Sequence, residues 1–182
     1  MDRLMLHTHD GPTDIDTMTQ VLQLRFQCDA DLGGNLDNGH SQILYIGYLG
    51  KSVICWCSTD QGSVFTSTAE SEIKAVNHTL KTEVISNRGI LNAIGSKQGP
   101  TVIERDNQAC TYISKAKHMT RNLRHLHLAK LQFKEKIADG TGIIVKVYSK
   151  ENNSNIGTKR VPKYTLSYLT HNFVDRSLRT YL

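Results

Sequence analysis

Hydrophobic and polar positions change period several times along this chain. Val21 to Cys28 alternates apolar and polar side chains, Ile43 to Leu49 is apolar and aromatic, and Val53 to Cys57 follows Gly50-Lys51-Ser52. Short apolar or alternating runs separated by brief turns predict three strands in an antiparallel meander. From Ser67 the period lengthens: Ile73, Val76, Leu80, Val84 and then Leu91 fall on one face of a long helix ending near Gly95. Thr101 to Arg105 predicts a fourth strand and Asn107 to Ser114 a short helix. Leu123, Leu126, Leu131, Phe133 and Ile137 predict another helix, stopping before Gly140, and Ile143 to Tyr148 a fifth strand. Beyond Pro162, Tyr164, Leu166, Tyr168, Leu169 and Phe173 predict a final helix packed onto the body.

Three strands, a helix, a strand, helices, a strand and a terminal helix make a mixed sheet covered by helices, an α/β class. Residues 1–20 are polar, with a turn signal at Asp10-Gly11-Pro12, and are expected to be a linker or the tail of an upstream region. The domain proper is expected over 21–160, with a helical tail over 161–182. A length of 182 residues is ample for one core.

Charge narrows the partners. Twenty-two Lys plus Arg against 17 Asp plus Glu give a net charge of +5, which favours a polyanion. Positive charge concentrates from Lys115 to Lys136, in Lys115, Lys117, Arg121, Arg124, Lys130, Lys134 and Lys136, with Glu135 the only acid; a solvated helical face is the plain alternative. Cys28, Cys55, Cys57 and Cys110 lie in apolar segments, as small buried hydrophobes in a reducing compartment do. The first nine residues lack the basic head and apolar run of a secretory signal, and no stretch reaches membrane-spanning length, so an intracellular, soluble protein without a membrane partner is expected.

Three acidic stretches then stand out: Asp29-Ala30-Asp31, Thr68-Ala69-Glu70-Ser71-Glu72 and Asp106-Asn107-Gln108, each beside a predicted strand or helix start. Hard divalent cations take carboxylate oxygens converging from separate elements, and paired ions acting on a phosphodiester need three or four such ligands.

Five motifs carry a resemblance. Cys28-Asp29-Ala30-Asp31-Leu32-Gly33-Gly34, Ile54-Cys55-Trp56-Cys57-Ser58, Ser67-Thr68-Ala69-Glu70-Ser71-Glu72-Ile73, Arg105-Asp106-Asn107-Gln108-Ala109 and Glu151-Asn152-Asn153-Ser154-Asn155-Ile156-Gly157-Thr158-Lys159 stand in one order. Together with the segment His125 to Ile137, they resemble the ribonuclease H domain of copia-type LTR retrotransposon polyproteins, from Leu24 to Lys159. The resemblance implies a ribonuclease H-like fold: a five-stranded mixed sheet, three strands antiparallel and then two parallel, with helices on both faces. It also implies catalytic and metal-ligating roles for Asp29, Glu72 and Asp106, holding two Mg²⁺ or Mn²⁺ ions. The fourth ligand position, an Asp in the family, holds Asn155, an amide that coordinates without charge.

Other departures are Leu32 for the family's Trp and His125-Leu126-His127 for its His-Ile-Asp; they raise a decayed copy or a host-adopted descendant. Asp175 is a second candidate for the fourth ligand. Asp31 shares a strand face with Asp29 and is expected at the rim, whereas Glu70 is expected as a helix N-terminal charge. Cys55-x-Cys57 and His125-x-His127 lack the spacing of zinc sites. A phosphate loop ending at Gly50-Lys51-Ser52 would need Gly where Tyr45 stands. Trp56 is expected in the core.

The implied function is cleavage of the RNA strand of RNA/DNA hybrids beside an upstream reverse transcriptase domain, in a cytoplasmic virus-like particle or the nucleus. Lys115, Lys117, Arg121, Arg124 and Lys130 are the candidate phosphate contacts. A domain that has lost cleavage through Asn155, and binds nucleic acid or braces the polymerase, is the alternative.

Overall fold

A computed structural model describes residues 22–35, 37–62, 64–107 and 127–173, without the side chains of 127–131 and 171–173. Strands β1 (Leu24–Asp31), β2 (Gln42–Leu49) and β3 (Ser52–Asp60) form the meander. β4 (Thr101–Arg105) and β5 (Gly142–Lys146) complete one sheet in the order β3-β2-β1-β4-β5. β1 runs antiparallel to β2 and parallel to β4, which is parallel to β5. The sheet is therefore the expected one, three strands antiparallel and two parallel. β1 extends three residues past the expected Cys28, because Asp29 to Asp31 keep pairing with Leu44 to Gln42. β5 begins at Gly142 and stops two residues short of Tyr148, which is exposed.

One face of the sheet carries the main core. Leu24, Phe26 and Cys28 of β1, Tyr45 of β2 and Ile103 of β4 meet Ile73, Val76, Leu80 and Val84 of the long helix and Phe133 of the later one. The long helix runs as α1 (Thr68–Thr79), a five-residue π-helical segment (Leu80–Val84) and α2 (Ile85–Ala93), without a break. It begins at Ser67, whose side chain accepts from the Glu70 N–H, a cap contributing about 1 kcal/mol. Glu70 turns back to accept from the Thr66 N–H and hydroxyl, the helix-start role expected of it. The later helix, α3 (His127–Ala138), packs on α1.

The opposite face is covered differently. Leu44, Ile46 and Tyr48 of β2 are buried there, beneath the short 3₁₀ turn Asn153–Gly157 and the final helix α4 (Lys163–Phe173) behind it. A buried polar chain fastens that turn. Asn153 N–H and Tyr48 Oη both donate to Gln27 Oε1, at 3.0 and 3.2 Å, and Asn153 Nδ2 donates to Tyr48 Oη at 2.9 Å. Gly157 lies so close that a Cβ there would sit 2.9 Å from a Leu44 methyl, so no larger residue fits without moving the turn.

Two packing expectations change. Trp56 is 64% exposed rather than buried. β3 is an edge strand, and Ile54, Trp56 and Ser58 all project from its exposed side, while Cys55 and Cys57 of the same strand turn inward. Among the described side chains of α4 only Leu169 is buried; Tyr164, Leu166 and Tyr168 remain exposed. Cys28 is fully buried, and burial beside Glu83 pushes the Cys55 thiol up to about 11. Val21, the predicted helix beyond Asn107, Cys110 and Asp175 lie outside the described residues.

Gly47 of β2 marks the tightest point of the core, where a Cβ would stand 2.5 Å from Cys55 Sγ and 2.6 Å from Phe26 Cε1. Gly47→Ala is expected to destabilise the domain by about 1–3 kcal/mol through overpacking, read as a lower urea midpoint with an unchanged slope.

Candidate active site

The parity of β1 decides what the sheet presents. Its even-numbered residues face α1, so Arg25, Gln27, Asp29 and Asp31 project to the side where the Asn153–Gly157 turn lies. Asp29 is fully buried. Its Oδ2 accepts from the Thr158 hydroxyl, and Lys159 Nζ reaches Oδ1 at 3.2 Å and Oδ2 at 3.1 Å. The same ammonium lies 3.0 Å from Asn155 Oδ1 and 3.9 Å from Asp106 Oδ2, just past the end of β4. Asp29, Asp106 and Asn155, far apart in the chain, thus surround one cation, supplied by Lys159.

Glu72 arrives from α1 and is also buried. Both of its carboxylate oxygens lie against a neighbouring side chain. Arg105 Nη2 pairs with Oε2, while Asn107 Nδ2 donates to Oε1 at 3.3 Å. Arg105 Nη1 donates in addition to the Glu72 backbone carbonyl at 2.6 Å. Arg105 follows Thr101 and Ile103 on the inward side of β4 and is wholly buried. A buried guanidinium is stable only when paired, so Arg105 and Glu72 hold each other in place.

Glu72, Asp106, Asn107, Lys159, Asp31 and Thr68 share the wall of an open cavity of about 290 Å³. Asp31 stands at its edge, as expected, and burial raises its carboxyl above the usual range, with Asp29 adding to the rise and Lys159 opposing it. The orientation of the Asn155 amide follows from its neighbours: Nδ2 donates to the Ser149 carbonyl at 2.8 Å, leaving Oδ1 toward the Lys159 ammonium. Asn155 is thus a built part of the turn.

The phosphate-contact candidates Lys115, Lys117, Arg121 and Arg124 lie outside the described residues, and Lys130 is described only as backbone of α3. Sequence reasoning passed over Arg105, Thr158 and Lys159. One signal was present: a charged residue in step with Thr101 and Ile103 on the inward side of a strand demands a buried counter-charge.

Several solved structures share this architecture. RNase H1 from Halobacterium salinarum NRC-1 superposes with a TM-score of 0.52 at 12% identity, covering 72% of this chain and 90% of that one. The fold is that of ribonuclease H. A foamy viral protease-reverse transcriptase, solved in complex with RNA/DNA hybrid, matches with a TM-score of 0.53 at 13% identity, covering 91% of this chain and 23% of that one.

In sequence, homologues of this ribonuclease H-like chain are retrovirus-related Pol polyproteins of plant transposons. That from transposon TNT 1-94 of Nicotiana tabacum is 29% identical over 140 residues, 77% of this chain. That from transposon RE2 of Arabidopsis thaliana is 29% identical over 140 residues, 76% of this chain. The chain spans about 10% of the length of each. No protein-family model matches it.

Ribonuclease H folds generally use divalent metals, so the donor set can be tested for fit. In type it fits: carboxylate and amide oxygens are what Mg²⁺ and Mn²⁺ take. In charge it fits one ion and not two. Four carboxylates, those of Asp29, Asp31, Glu72 and Asp106, stand here against Lys159 and Arg105, leaving two negative charges that one divalent ion balances and two ions exceed. The oxygens of Asp29, Asp106 and Asn155 that surround the Lys159 ammonium could instead hold one ion there once the lysine, 40% exposed, swings aside.

Replacing the Asn155 amide by a carboxylate would set an oxygen against the Ser149 carbonyl. Asn155→Asp is expected to lower stability by about 1 kcal/mol, the lost hydrogen bond exceeding the gain toward Lys159, as measured by urea denaturation.

Proposed function

We propose that this chain is the ribonuclease H domain of a retrotransposon Pol polyprotein, acting beside a reverse transcriptase domain and cleaving the RNA strand of RNA/DNA hybrids in a divalent-metal-dependent reaction. The observation that supports it is the meeting of Asp29, Asp106 and Asn155 about one cation, with Glu72 on the wall of the cavity that Asp106 and Lys159 also line. The proposed ligands are Asp29, Asp106 and the Asn155 oxygen. A metal bound there supplies Lewis-acid chemistry at a phosphodiester. Thr158 holds the Asp29 carboxylate in one orientation, and the buried surroundings keep that carboxylate from water. The basic residues Lys115, Lys117, Arg121, Arg124 and Lys130 are proposed to follow the phosphates of the hybrid, with the domain bounded near 21–160 and working inside the cell.

A second reading has its own support. Arg105 on Glu72 and an amide at position 155 both remove negative charge from the site, which favours a domain that binds hybrids and cuts them slowly or not at all.

A labelled RNA/DNA hybrid incubated with the chain and Mg²⁺ or Mn²⁺ separates the two. Metal-dependent cutting of the RNA strand that Asp29→Asn reduces at least about 100-fold supports the nuclease; salt-sensitive binding without cutting supports the second reading. Neither binding nor cutting would refute both.

A further inference from the structure

Outside the site, Ile54 and Trp56 form an exposed patch on β3 and α4 exposes aromatic residues, with nothing to say what covers either. The site itself carries more. We infer that Arg105 is a resident cation that permanently fills one of the two positive positions of this ribonuclease H site, while Lys159 fills the other only until a metal arrives, so that the domain takes up a single divalent ion. This deepens the ribonuclease H reading and rests on it.

The two cations differ in their freedom. The Lys159 side chain is 40% exposed and is held by oxygens alone, those of Asp29, Asn155 and, more distantly, Asp106. A flexible four-carbon stem with its root at the surface can rotate into water at small expense, and the oxygens it leaves are already gathered. Arg105 has no such exit. It is wholly buried in step with Ile103, and it grips Glu72 at both the carboxylate and the backbone carbonyl.

Removing either partner from such a pair leaves an uncompensated buried charge, so the pair does not open to admit a metal. Asn107 engages the remaining Glu72 oxygen. Glu72 therefore neutralises Arg105, and its charge is answered before a metal arrives.

With an uncharged side chain at 105, Glu72 would bring its full charge to the cavity, and the second position would open. The two arginine contacts thus decide how many ions bind, independently of whether a hybrid is cut.

Counting ions tests this directly. Mn²⁺ titration of the intact chain, followed by calorimetry and by the electron paramagnetic resonance signal of free Mn²⁺, is expected to give one ion per chain. Lys159→Ala is expected to keep that count and tighten binding at least about tenfold, because a competing positive charge is gone. Arg105→Cys is expected to raise the count to two. Because Arg105→Cys leaves Glu72 buried alone and could fail to fold, the paired change Glu72→Gln with Arg105→Met, which removes both charges together, is expected to fold and still bind one ion.

Two ions on the unaltered chain, none on it, an unchanged count in folded Arg105→Cys, or loss of the ion in the paired variant would each overturn the inference. The count is read without nucleic acid. A chain that binds one ion but never cleaves a hybrid would sink the nuclease reading and leave this inference standing.

Discussion

Everything in this site follows from burying carboxylates. Asp29 and Glu72 are withdrawn from water on elements that meet from opposite faces of the sheet, and a buried charge persists only if something answers it. Thr158 and Lys159 answer Asp29; Arg105 and Asn107 answer Glu72. The turn carrying Thr158 and Lys159 is itself held by Gln27, Tyr48 and Asn153 and by the close seat of Gly157 on Leu44. The polar network on one face of the sheet is thus the scaffold of the site, while the apolar face under the long helix supplies most of the core.

The strand β1 links the two tasks. At the centre of the sheet it has α1 over one face and the Asn153–Gly157 turn over the other, and its alternation sends Leu24, Phe26 and Cys28 into the core and Asp29 into the site. Ribonuclease H architecture and acidic placement are consequences of the same two-residue period.

Much of this was legible in the chain. Period-two runs marked the meander, and the shift to Ile73, Val76, Leu80 and Val84 marked the helix correctly, since those side chains form its buried stripe. Periodicity did not reveal that Trp56 is exposed, because alternation identifies a strand without telling whether an element covers its second face; β3 lies at the edge. It did not reveal the π-helical segment within the long helix either, since Leu80 and Val84 keep the apolar stripe continuous through it. Arg105 was hidden for another reason. Its parity pointed inward and its chemistry outward, and Glu72, 33 residues away, reconciles them.

The lodging of Asn155 bears on the history open to such a chain. Its amide nitrogen is tied to Ser149 and its oxygen to a lysine, so the turn is fitted to a neutral residue. An acid regained there meets a carbonyl shaped to receive a donor, and Arg105 still neutralises the glutamate across the cavity. The effect of an acid at 155 is therefore contingent on sequence context: changes at 105 and 155 act on one cluster of charges and do not add independently.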